Sequence, residues 1–515
     1  MRFPLPANRL VPDRLRLILG VKLRALRHER GLGLKDVARS AGLSVSYLSE
    51  IEQGKKYPKP DKLIDLAHAL GVPYDDLVSL RVDKGLGAVK DAIESPLLQS
   101  FPFKLFGLDP KAVVGMLSGA TDKADALVRA LTDLTRAYDA RVEDVLQAAM
   151  RAYQQVHANH LPDLEALADR LRLDVAPDGP LDAAALRAAL ESRGVTVETG
   201  RLGADPDLAT FRSVLTDGDP PTLHVNSTLA EHQRAFVYAR ELAFVDLAPE
   251  HRPRTSPWTR VERFEEVFSY FEASYVAGAM LLPAAEVDAA LAELAAETDW
   301  APGLLTGMLE RFRATPEMVL HRLTQRIPEA LGLSELYFLR FHHDTATDRV
   351  TLTKSFNLSP VPVPHGIAAD EHWCRRWPGL RALADLDRAQ ARAAGRGGPD
   401  PPPTVVAQRQ RFAHGTAAQA DGEEFFTIAM ARPLALRPGV NSAVSLGLLL
   451  SPPTKQRVRV WDAPALDRVE VSLTCERCPV DGCRVRSAPA RVLARREARD
   501  RKERAVAALA TRNPR

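Results

Sequence analysis

The stretch from residue 15 to residue 80 constrains the fold more than any other part of the sequence. Its first predicted helix has leucines at helical spacing, at positions 15, 19, 23 and 26. Short helices are then predicted over residues 34–40 and 45–53, on either side of the turn AGLS. A fourth helix follows Pro60, and a fifth ends near Leu77. Five short helices with a glycine-containing turn between the second and the third are typical of a helix-turn-helix domain.

The segment LKDVARSAGLSVSYLSEIEQGKKYPKPDKLIDLAHALGV closely resembles the Cro/repressor type of helix-turn-helix domain. The resemblance rests on Ala38, on Gly42 in the turn, and on Leu48 and Ile51 in the recognition helix. It implies that the start of the recognition helix enters the major groove of DNA. The side chains then expected at base edges or phosphates are Ser44, Ser46, Tyr47, Ser49 and Gln53. The lysines expected at the phosphate backbone are Lys35, Lys55 and Lys56. The alternative is a protein-interaction domain with solvated lysines.

The distribution of charge also favours a polyanionic partner. Residues 14–80 carry 12 Lys and Arg against 8 Asp and Glu, and residues 484–515 carry 11 against 3, although the whole chain has a net charge of only +3. Both ends are therefore basic, and the body between them is acidic. This pattern suggests a polyanionic partner, and double-stranded DNA is one that fits it. For the basic tail, residues 491–515, non-specific DNA contact and a solvated helix both stay open.

No membrane segment is expected. No apolar run approaches the ~20 residues that a transmembrane helix needs. The start MRFPLPANRLVPDR also lacks the apolar core of a secretory signal. We therefore expect a cytoplasmic protein without a membrane partner.

A long amphipathic helix is predicted in the connector, residues 81–158. Its apolar positions step by three or four residues and share one face: Leu127, Leu131, Leu134, Tyr138, Val142, Val145, Ala149, Tyr153 and Val156. One interpretation is a dimerisation helix, and the other is a helix packed on its own domain. Because DNA-binding domains of this kind pair on two half-sites, we expect a homodimer.

The stretch EHQRAFVYARELAFVDL has the frame of a metallopeptidase helix without its two histidines. Glu241, at the general-base position, is retained, but Arg240 and Phe244 stand where two zinc ligands would be. In such a helix, histidines four residues apart place two nitrogens on one face for zinc. Phenylalanine has no lone pair, and arginine brings a positive charge of its own. The chain is therefore predicted not to be an enzyme.

The helix RFEEVFSYFEASYVAGAMLLP resembles the one that supplies a third, acidic ligand in metallopeptidases of the IrrE/ImmA type. Glu272 occupies the place of that ligand. The resemblance implies a degenerate gluzincin-like domain over residues 159–333. The sequence of this region predicts mostly helices, with one short β element at roughly 222–226. We hypothesise that Arg240 replaces the charge of the metal by pairing with Glu272 or Glu241. The alternative is that Arg240 points to solvent.

From residue 334 the pattern changes to period two and predicts a small antiparallel sheet. Four strands are predicted, in ELYFLRFHH, RVTLTKSF, EFFTIAMARP and SAVSLGLLLS. Residues 389–403, AQARAAGRGGPDPPP, are predicted to be a loop or a disordered insertion. His342 and His343 are adjacent on a strand and so point to opposite faces, which argues against a shared metal.

Four cysteines form a second candidate site. Cys475, Cys478 and Cys483 have the spacing C-x2-C-x4-C, and Cys374 is the only other cysteine in the chain. In a cytoplasmic protein this pattern indicates metal binding rather than disulfides. Structural zinc and cuboidal iron–sulfur clusters both take four ligands. The spacing does not separate the two, and we favour zinc only slightly; the alternative is reduced thiols without a metal. The basic residues expected to hold the thiolates deprotonated are Arg477, Arg484 and Arg486.

The chain as a whole resembles the short-chain fatty acyl-CoA regulators, a family of bacterial transcription factors. The matching segments are AYQQVHANHLPDLE, FEASYVAGAMLLP, the C-x-x-W from Cys374 to Trp377, and CERCPVDGCRVRSAP. The resemblance implies a multidomain, mainly α-helical chain with a C-terminal α+β part, sensor-like over residues 334–490. It also implies control of genes for short-chain acyl metabolism, with a short-chain acyl-CoA as effector.

Two other functions stay open at this point. A redox- or iron-responsive regulator would sense through a cysteine-ligated iron–sulfur cluster. An IrrE-like metalloprotease would cleave a repressor, but the missing histidines argue against it. Nothing in the sequence separates the redox regulator from the acyl-CoA regulator.

Overall fold

The computed structural model describes residues 16, 19–20, 22–24, 26–28, 30–52, 55–78, 142–177, 181–259, 263–361, 371–396, 401–413 and 423–511. The chain divides into two compact units, one within Met1–Tyr153 and Val261–Val267 and the other within Gln154–Arg260 and Phe268–Arg515. The first contains the helix-turn-helix part. The second contains most of the peptidase-like region and the C-terminal sheet.

Five helical segments build the helix-turn-helix part, as the sequence predicts. The first comprises the described residues between 16 and 28, and the next four are α1 Leu34–Ser40, α2 Val45–Glu52, α3 Pro60–Leu70 and α4 Tyr74–Val78. Gly42, in the turn between α1 and α2, has a φ of +60°, a conformation that favours glycine. Gly20 lets the first helix pass close to α2, because a Cβ there would lie 2.6 Å from the Ile51 carbonyl oxygen. Leu48 and Ile51 are buried, as expected.

The described part of the connector is helix α5, Val142–Val156. Its buried side chains include Leu146, Ala149 and Met150, whereas Val156 is 73% exposed. The predicted apolar face therefore does not extend to Val156 as a buried face within this chain. Its earlier positions, Leu127 to Tyr138, lie outside the described residues, so the dimerisation helix stays a prediction.

The peptidase-like region combines helices with a four-stranded sheet. Its elements are α6 Pro162–Val175, α7 Ala183–Ser192, β1 Thr196–Glu198, α8 Arg201–Ala204, β2 Ser213–Thr216, β3 Thr222–Val225, α9 Glu231–Leu247, β4 Thr255–Ser256 and α10 Phe264–Leu281. The strand order is β1-β3-β2-β4, and only the β1–β3 pair is parallel in this sheet of described residues. The sequence predicts β3, α9 and α10 correctly. The expectation of a single β element is wrong, because three strands of two to four residues join β3.

Three helices lead to the C-terminal sheet: α11 Ala284–Ala296, α12 Gly303–Arg311 and α13 Pro316–Leu331. Thr315 caps α13, since its hydroxyl accepts a hydrogen bond from the Met318 N–H at 3.3 Å. Among the described helices, none alone has the length and apolar composition to cross a membrane. Helices α10 and α11 reach that length and composition only as a pair, with a bend of 71° between them.

The C-terminal part is a six-stranded sheet in the order β10-β7-β8-β9-β5-β6. The strands are β5 Leu336–Asp344, β6 Arg349–Asn357, β7 Thr404–Phe412, β8 Glu424–Pro433, β9 Val440–Leu449 and β10 Asp467–Val471. Neighbouring strands are antiparallel apart from β10 and β7. The helices of this part are α14 Pro378–Ala394, α15 Pro452–Arg457 and α16 Arg491–Thr511. One face of the sheet packs on α11 and α13, and the other packs on α14.

Four of these strands, β5, β6, β8 and β9, agree with the sequence prediction, and so does the overall fold class. The expectation that residues 389–403 form a loop is wrong in part, because α14 continues to Ala394. Residues 401–403 have no regular structure, as expected, and β7 begins after them at Thr404. Residues 397–400, within the predicted loop, lie outside the described residues. The basic tail forms helix α16, and its side chains over residues 501–508 are exposed.

Candidate functional site

The recognition helix α2 begins at a capped and exposed N-terminus. The Ser44 hydroxyl accepts a hydrogen bond from the Tyr47 N–H at 3.1 Å, which satisfies one of the donors at the helix start. Ser44 and Ser46 are exposed, and Tyr47 and Ser49 are half-buried. Short, exposed hydroxyl side chains leave room for a close approach of this helix end to a groove. Ser44 therefore also has a structural role that the sequence analysis did not assign.

The lysines predicted to meet phosphates have different surroundings. Lys35 and Lys55 are exposed, and no residue that the structure describes forms an ion pair with either. Lys56 Nζ lies 2.7 Å from Glu50 Oε2 and 5.5 Å from the centroid of the Tyr47 ring. The hydrogen bond with Glu50 raises the pKa of Lys56. Gln53, also predicted to contact DNA, lies outside the described residues.

Arg240, at the first lost histidine position, is buried among hydroxyl groups. Its guanidinium donates hydrogen bonds to Ser213 Oγ at 3.1 Å, Ser256 Oγ at 3.0 Å and the Tyr270 hydroxyl at 2.8 Å. The alternative that it points to solvent is wrong, because Arg240 is only 2% exposed. Its Nη2 lies 3.9 Å from Glu241 Oε1, which is an ion-pair distance without a hydrogen bond. Strands β2 and β4 supply two of the acceptors, so that the main partners of Arg240 are neutral.

Arg252 is the cation that is hydrogen-bonded to Glu241, and the sequence analysis missed it. Its Nη2 donates a hydrogen bond to Glu241 Oε2, and its guanidinium carbon lies 3.8 Å from the centroid of the Phe244 ring. It thus contacts both the general-base position and the second lost histidine position. Burial lowers the pKa of Arg252, and the charge of Glu241 opposes this effect. Arg252 follows the C-terminus of α9 in the segment HRPRTSPW, where no spacing pattern marks it.

Glu272 does not join these groups. In the part of the chain that the structure describes, no hydrogen bond or ion pair links Glu272 to Arg240 or Arg252, so the predicted Arg240–Glu272 pair is wrong. Glu272 is half-buried, and burial alone raises its pKa from the usual 4.5 to about 7. Within the described residues, no hydrogen bond or ion pair therefore joins Glu272 to the other ligand positions of a zinc peptidase.

The structure brings Cys374 beside the C-terminal cysteine motif. Trp373 pairs with Thr474 in an antiparallel bridge, and the Cys475 N–H donates to the His372 carbonyl at 2.9 Å. Cys374, Cys475 and Cys478 are buried and Cys483 is half-buried, all as free thiols. Burial, together with the neighbouring Cys478 and Cys475, raises the pKa of Cys374 to about 11.

Arginines organise this cysteine motif through its backbone. Arg486 donates to the carbonyls of Cys475 at 2.9 Å, Cys478 at 3.1 Å and Val480 at 2.6 Å. Arg477 instead pairs with Glu371, at 2.6 and 2.7 Å. The hydrogen bonds of these two arginines go to carbonyls and to a carboxylate, not to sulfur. Their role, with Arg484, in holding the thiolates deprotonated stays a prediction. The donor set of four thiols fits zinc or an iron–sulfur cluster chemically. Among the described residues, however, no three His, Cys, Asp or Glu side chains already stand in the arrangement of a metal site.

Two protein-family models match this chain. The model of a helix-turn-helix domain matches residues 18–80, and the model of an IrrE N-terminal-like domain matches residues 191–324. These ranges contain the recognition helix and the site of Arg240 and Arg252, respectively.

Curated relatives are similar over shorter segments. The HTH-type transcriptional regulator DdrOP3 of Deinococcus deserti is 42% identical over 84 residues, 15% of this chain and 65% of the relative. The uncharacterized HTH-type transcriptional regulator y4dJ of Sinorhizobium fredii is 38% identical over 65 residues, which are 13% of this chain and 84% of that protein. The propionyl-CoA carboxylase regulator of Cereibacter sphaeroides is 28% identical over 123 residues, 24% of each chain. The chain thus spans slightly less than two thirds of DdrOP3.

Among solved structures, a Mycobacterium tuberculosis transcriptional regulator is similar, with 24% identity and a TM-score of 0.44. The alignment covers 66% of this chain and 92% of the other.

Proposed function

Because this chain belongs to the helix-turn-helix transcriptional regulators and carries an IrrE-like domain, we propose that it controls genes of short-chain acyl-CoA metabolism in response to a short-chain acyl-CoA. The DNA-binding part follows from the family, and the target genes and the effector are the proposed part. The observation that carries the DNA-binding part is the capped, exposed start of α2, together with the exposed Lys35 on α1. The acyl-CoA part is supported by the resemblance of the whole chain and by the similar regulator named for propionyl-CoA carboxylase. As a regulator of chromosomal genes, the protein would act in the cytoplasm.

Affinity and specificity would come from different residues. Lys35 and Lys55 would supply a salt-dependent attraction to phosphates that is the same for every sequence. Ser46 and Tyr47, near the start of α2, would read base edges in the major groove. The helix α16 carries a second group of basic residues, available for further non-specific contact with DNA. A homodimer would place two copies of α2 on two half-sites.

In this proposal the IrrE-like domain does not hydrolyse peptides. A zinc peptidase uses a metal-bound water and a carboxylate that is available as a base. Here Glu241 is 5% exposed and is hydrogen-bonded to Arg252, and the buried Arg240 lies 3.9 Å away. Two guanidinium groups beside one carboxylate repel a divalent cation. Cleavage of a repressor by this domain is therefore not part of the proposal.

Sequencing of the genomic fragments that the purified full-length protein retains would test the proposed function. We expect fragments that share an inverted repeat upstream of acyl-CoA metabolism genes. Fluorescence anisotropy on such a fragment, titrated with propionyl-CoA and with coenzyme A as the matched control, should show an affinity change only with the acylated form. An effector can act only if it binds the DNA-competent and the incompetent state differently. Retention of fragments without any common sequence would overturn the proposal.

A second candidate function has one observation in its favour. Cys374, Cys475 and Cys478 are buried side by side, as a redox- or iron-responsive centre would need. In that case, operator affinity would change on oxidation or on removal of iron, and propionyl-CoA would have no effect. The same anisotropy assay, repeated anaerobically and after exposure to air, distinguishes the two functions.

A further inference from the structure

One face of the C-terminal sheet changes from apolar to cationic along its strands. A row of cross-strand neighbours on β8, β9, β5 and β6 is apolar and packs against α13: Ile428, Leu446, Phe338 and Phe356. The next row on the same face is Met430, Val444, Arg340 and Lys354, and the one after it is Arg432, Ser442, His342 and Thr351. His343 lies on the opposite face, as expected, where it bonds to Asp348 and Asp387. Positive side chains thus collect where the N-terminus of α13 meets the sheet.

Glu317 is the carboxylate at the centre of this group. It lies in the first turn of α13, and Arg340 Nη1 donates to its Oε1 at 2.6 Å. Although burial opposes the effect, the charges of Arg340, Lys354 and Arg212 hold the pKa of Glu317 well below its usual range. The charge of Glu317 also raises the pKa of Arg432, against the effect of burial. It is therefore electrostatically coupled to four cations that come from four separate segments of the chain.

The positive charges exceed what Glu317 can balance. Within the described residues, neither Arg212 nor Arg432 has a side-chain hydrogen bond or an ion pair, and both are only partly exposed. Burial and the charge of Arg212 lower the pKa of Arg432. Burial lowers the pKa of Lys354 to about 8, and Arg340 contributes to this shift. Like charges gathered in a half-buried place are costly unless an anion joins them.

We propose that Arg212, Arg340, Lys354 and Arg432 form a binding site for the phosphate groups of a small molecule. Guanidinium groups match phosphate oxygens with paired hydrogen bonds, and lysine adds a compact charge. The N-terminus of the 16-residue helix α13 adds a positive end to the site. Because the cations are half-buried, a small anion fits better than the backbone of a DNA duplex. The regulatory meaning of the site rests on the proposed function, but binding of phosphate does not.

Isothermal titration calorimetry on the full-length protein, at constant ionic strength, tests the site with two probes, inorganic pyrophosphate and coenzyme A. We expect binding that weakens at least tenfold in Arg432→Gln and in Lys354→Gln. Arg468→Gln, on the far edge strand β10 with its side chain 74% exposed, removes the same charge and should bind as the unmodified protein does. Binding of both probes supports a site for phosphate itself, and binding of coenzyme A alone supports a nucleotide-bearing ligand.

The melting temperature without ligand separates binding from a structural role. Removal of a like charge should leave the melting temperature of Arg432→Gln unchanged or raise it. No binding of either probe by the unmodified protein would overturn the site, as would unchanged binding in both glutamine variants. DNA binding is measured on the same samples. A protein that binds its operator but neither probe refutes the phosphate site alone, whereas a protein that binds a probe but no specific DNA refutes the proposed function alone.

Discussion

Two arginines, Arg240 buried and Arg252 half-buried, share the surroundings of Glu241 but depend on different partners. Arg252 is hydrogen-bonded to the carboxylate, whereas Arg240 donates to three hydroxyl groups. Arg252→Ala would leave a buried charge without its hydrogen-bonded partner, so we expect a loss of about 3–5 kcal/mol in the free energy of unfolding. Arg240→Ala removes three hydrogen bonds, and we expect a loss of about 2–4 kcal/mol.

A second substitution separates these two causes. Glu241→Gln removes the charge that Arg252 balances, so it should restore much of the stability of Arg252→Ala. It should restore little in Arg240→Ala, where the unpaired groups are hydroxyls. Midpoints of thermal unfolding by circular dichroism, compared within this set of variants, provide the measurement. Equal recovery in both double variants would show that Arg240 and Arg252 act on Glu241 in the same way.

The pKa of Glu272 predicts a dependence of stability on pH. Because the folded-state pKa, about 7, is above the usual value of 4.5, the carboxyl is more readily protonated in the folded chain. Its contribution to stability is complete below about pH 4.5 and is lost as the pH rises through 7. After allowance for solvent screening, Glu272→Gln should stabilise the protein at pH 8 by about 1–2 kcal/mol. At pH 4.5 the two proteins should melt together, and a similar stabilisation at both pH values would contradict the assignment.

The contrast between Arg240 and Arg252 shows which site residues can be predicted from the sequence. The metallopeptidase frame marks Arg240, Glu241 and Phe244 by their spacing on one helix. Arg252 lies in an irregular segment, and only the tertiary fold places its guanidinium against the Phe244 ring. The phosphate-site residues had a weaker signal, namely the charges of Arg340 and Lys354 inside otherwise apolar or alternating strands. A single charge in a strand also fits an exposed edge, and only the strand order brings these side chains to one place.

At the scale of elements, α1 is expected to contribute to the affinity for any DNA, and the start of α2 to the specificity for the operator. Lys35→Ala should weaken binding to all DNA sequences alike. It should also reduce the slope of log affinity against log salt concentration by about one, because one fewer counterion is released on binding. Ser46→Ala should instead cost about 1 kcal/mol on the operator and change little on unrelated DNA. Anisotropy titrations over a range of salt concentrations measure both effects. Lys455→Ala, which removes an exposed charge on α15, is the matched control.

If Lys35→Ala changed the preference among sequences rather than the overall affinity, α1 would reach base edges and not only the backbone. If Lys455→Ala weakened binding equally, the effect of Lys35 would come from net charge. The capped position of Ser44 sets a further limit, because its hydroxyl already accepts a backbone hydrogen bond. Ser44→Ala is therefore expected to lower the stability of the domain as well as its affinity for DNA.

The elements that the sequence predicts are long enough for their apolar pattern to repeat several times. The helices of residues 34–78 and strands β5, β8 and β9 each carry a repeated apolar pattern, and the structure has them at nearly the same bounds. Strands β1, β2 and β4 have two to four residues, too few for a period to appear. Strand β10 is short and strand β7, TVVAQRQRF, is largely polar, so that pairing with neighbours rather than local pattern makes them strands.

At the scale of the whole molecule, the cysteines connect parts of the chain that are about a hundred residues apart. Cys374 lies just before α14, whereas Cys475 and Cys478 follow the last strand of the sheet. A metal held by these thiols would join the segment before α14 to the segment after β10. We predict about one zinc ion per chain in the purified protein, with metal content and stability both reduced in Cys478→Ser.

Metal and acid-labile sulfide analysis of anaerobically purified protein, with a visible spectrum, decides between the possible centres. Iron with sulfide and a brown chromophore would show that the centre is an iron–sulfur cluster and not zinc, which would favour the redox-responsive function. Glu241→Gln is the control for the peptidase-like site and should keep its full metal content, because Arg252 already neutralises that carboxylate. Metal lost in Glu241→Gln but retained in Cys478→Ser would place the ion in the peptidase-like site. In that case Arg252 would have to leave Glu241 when the metal binds, and the Arg252→Ala variant should bind it more tightly than the unmodified protein.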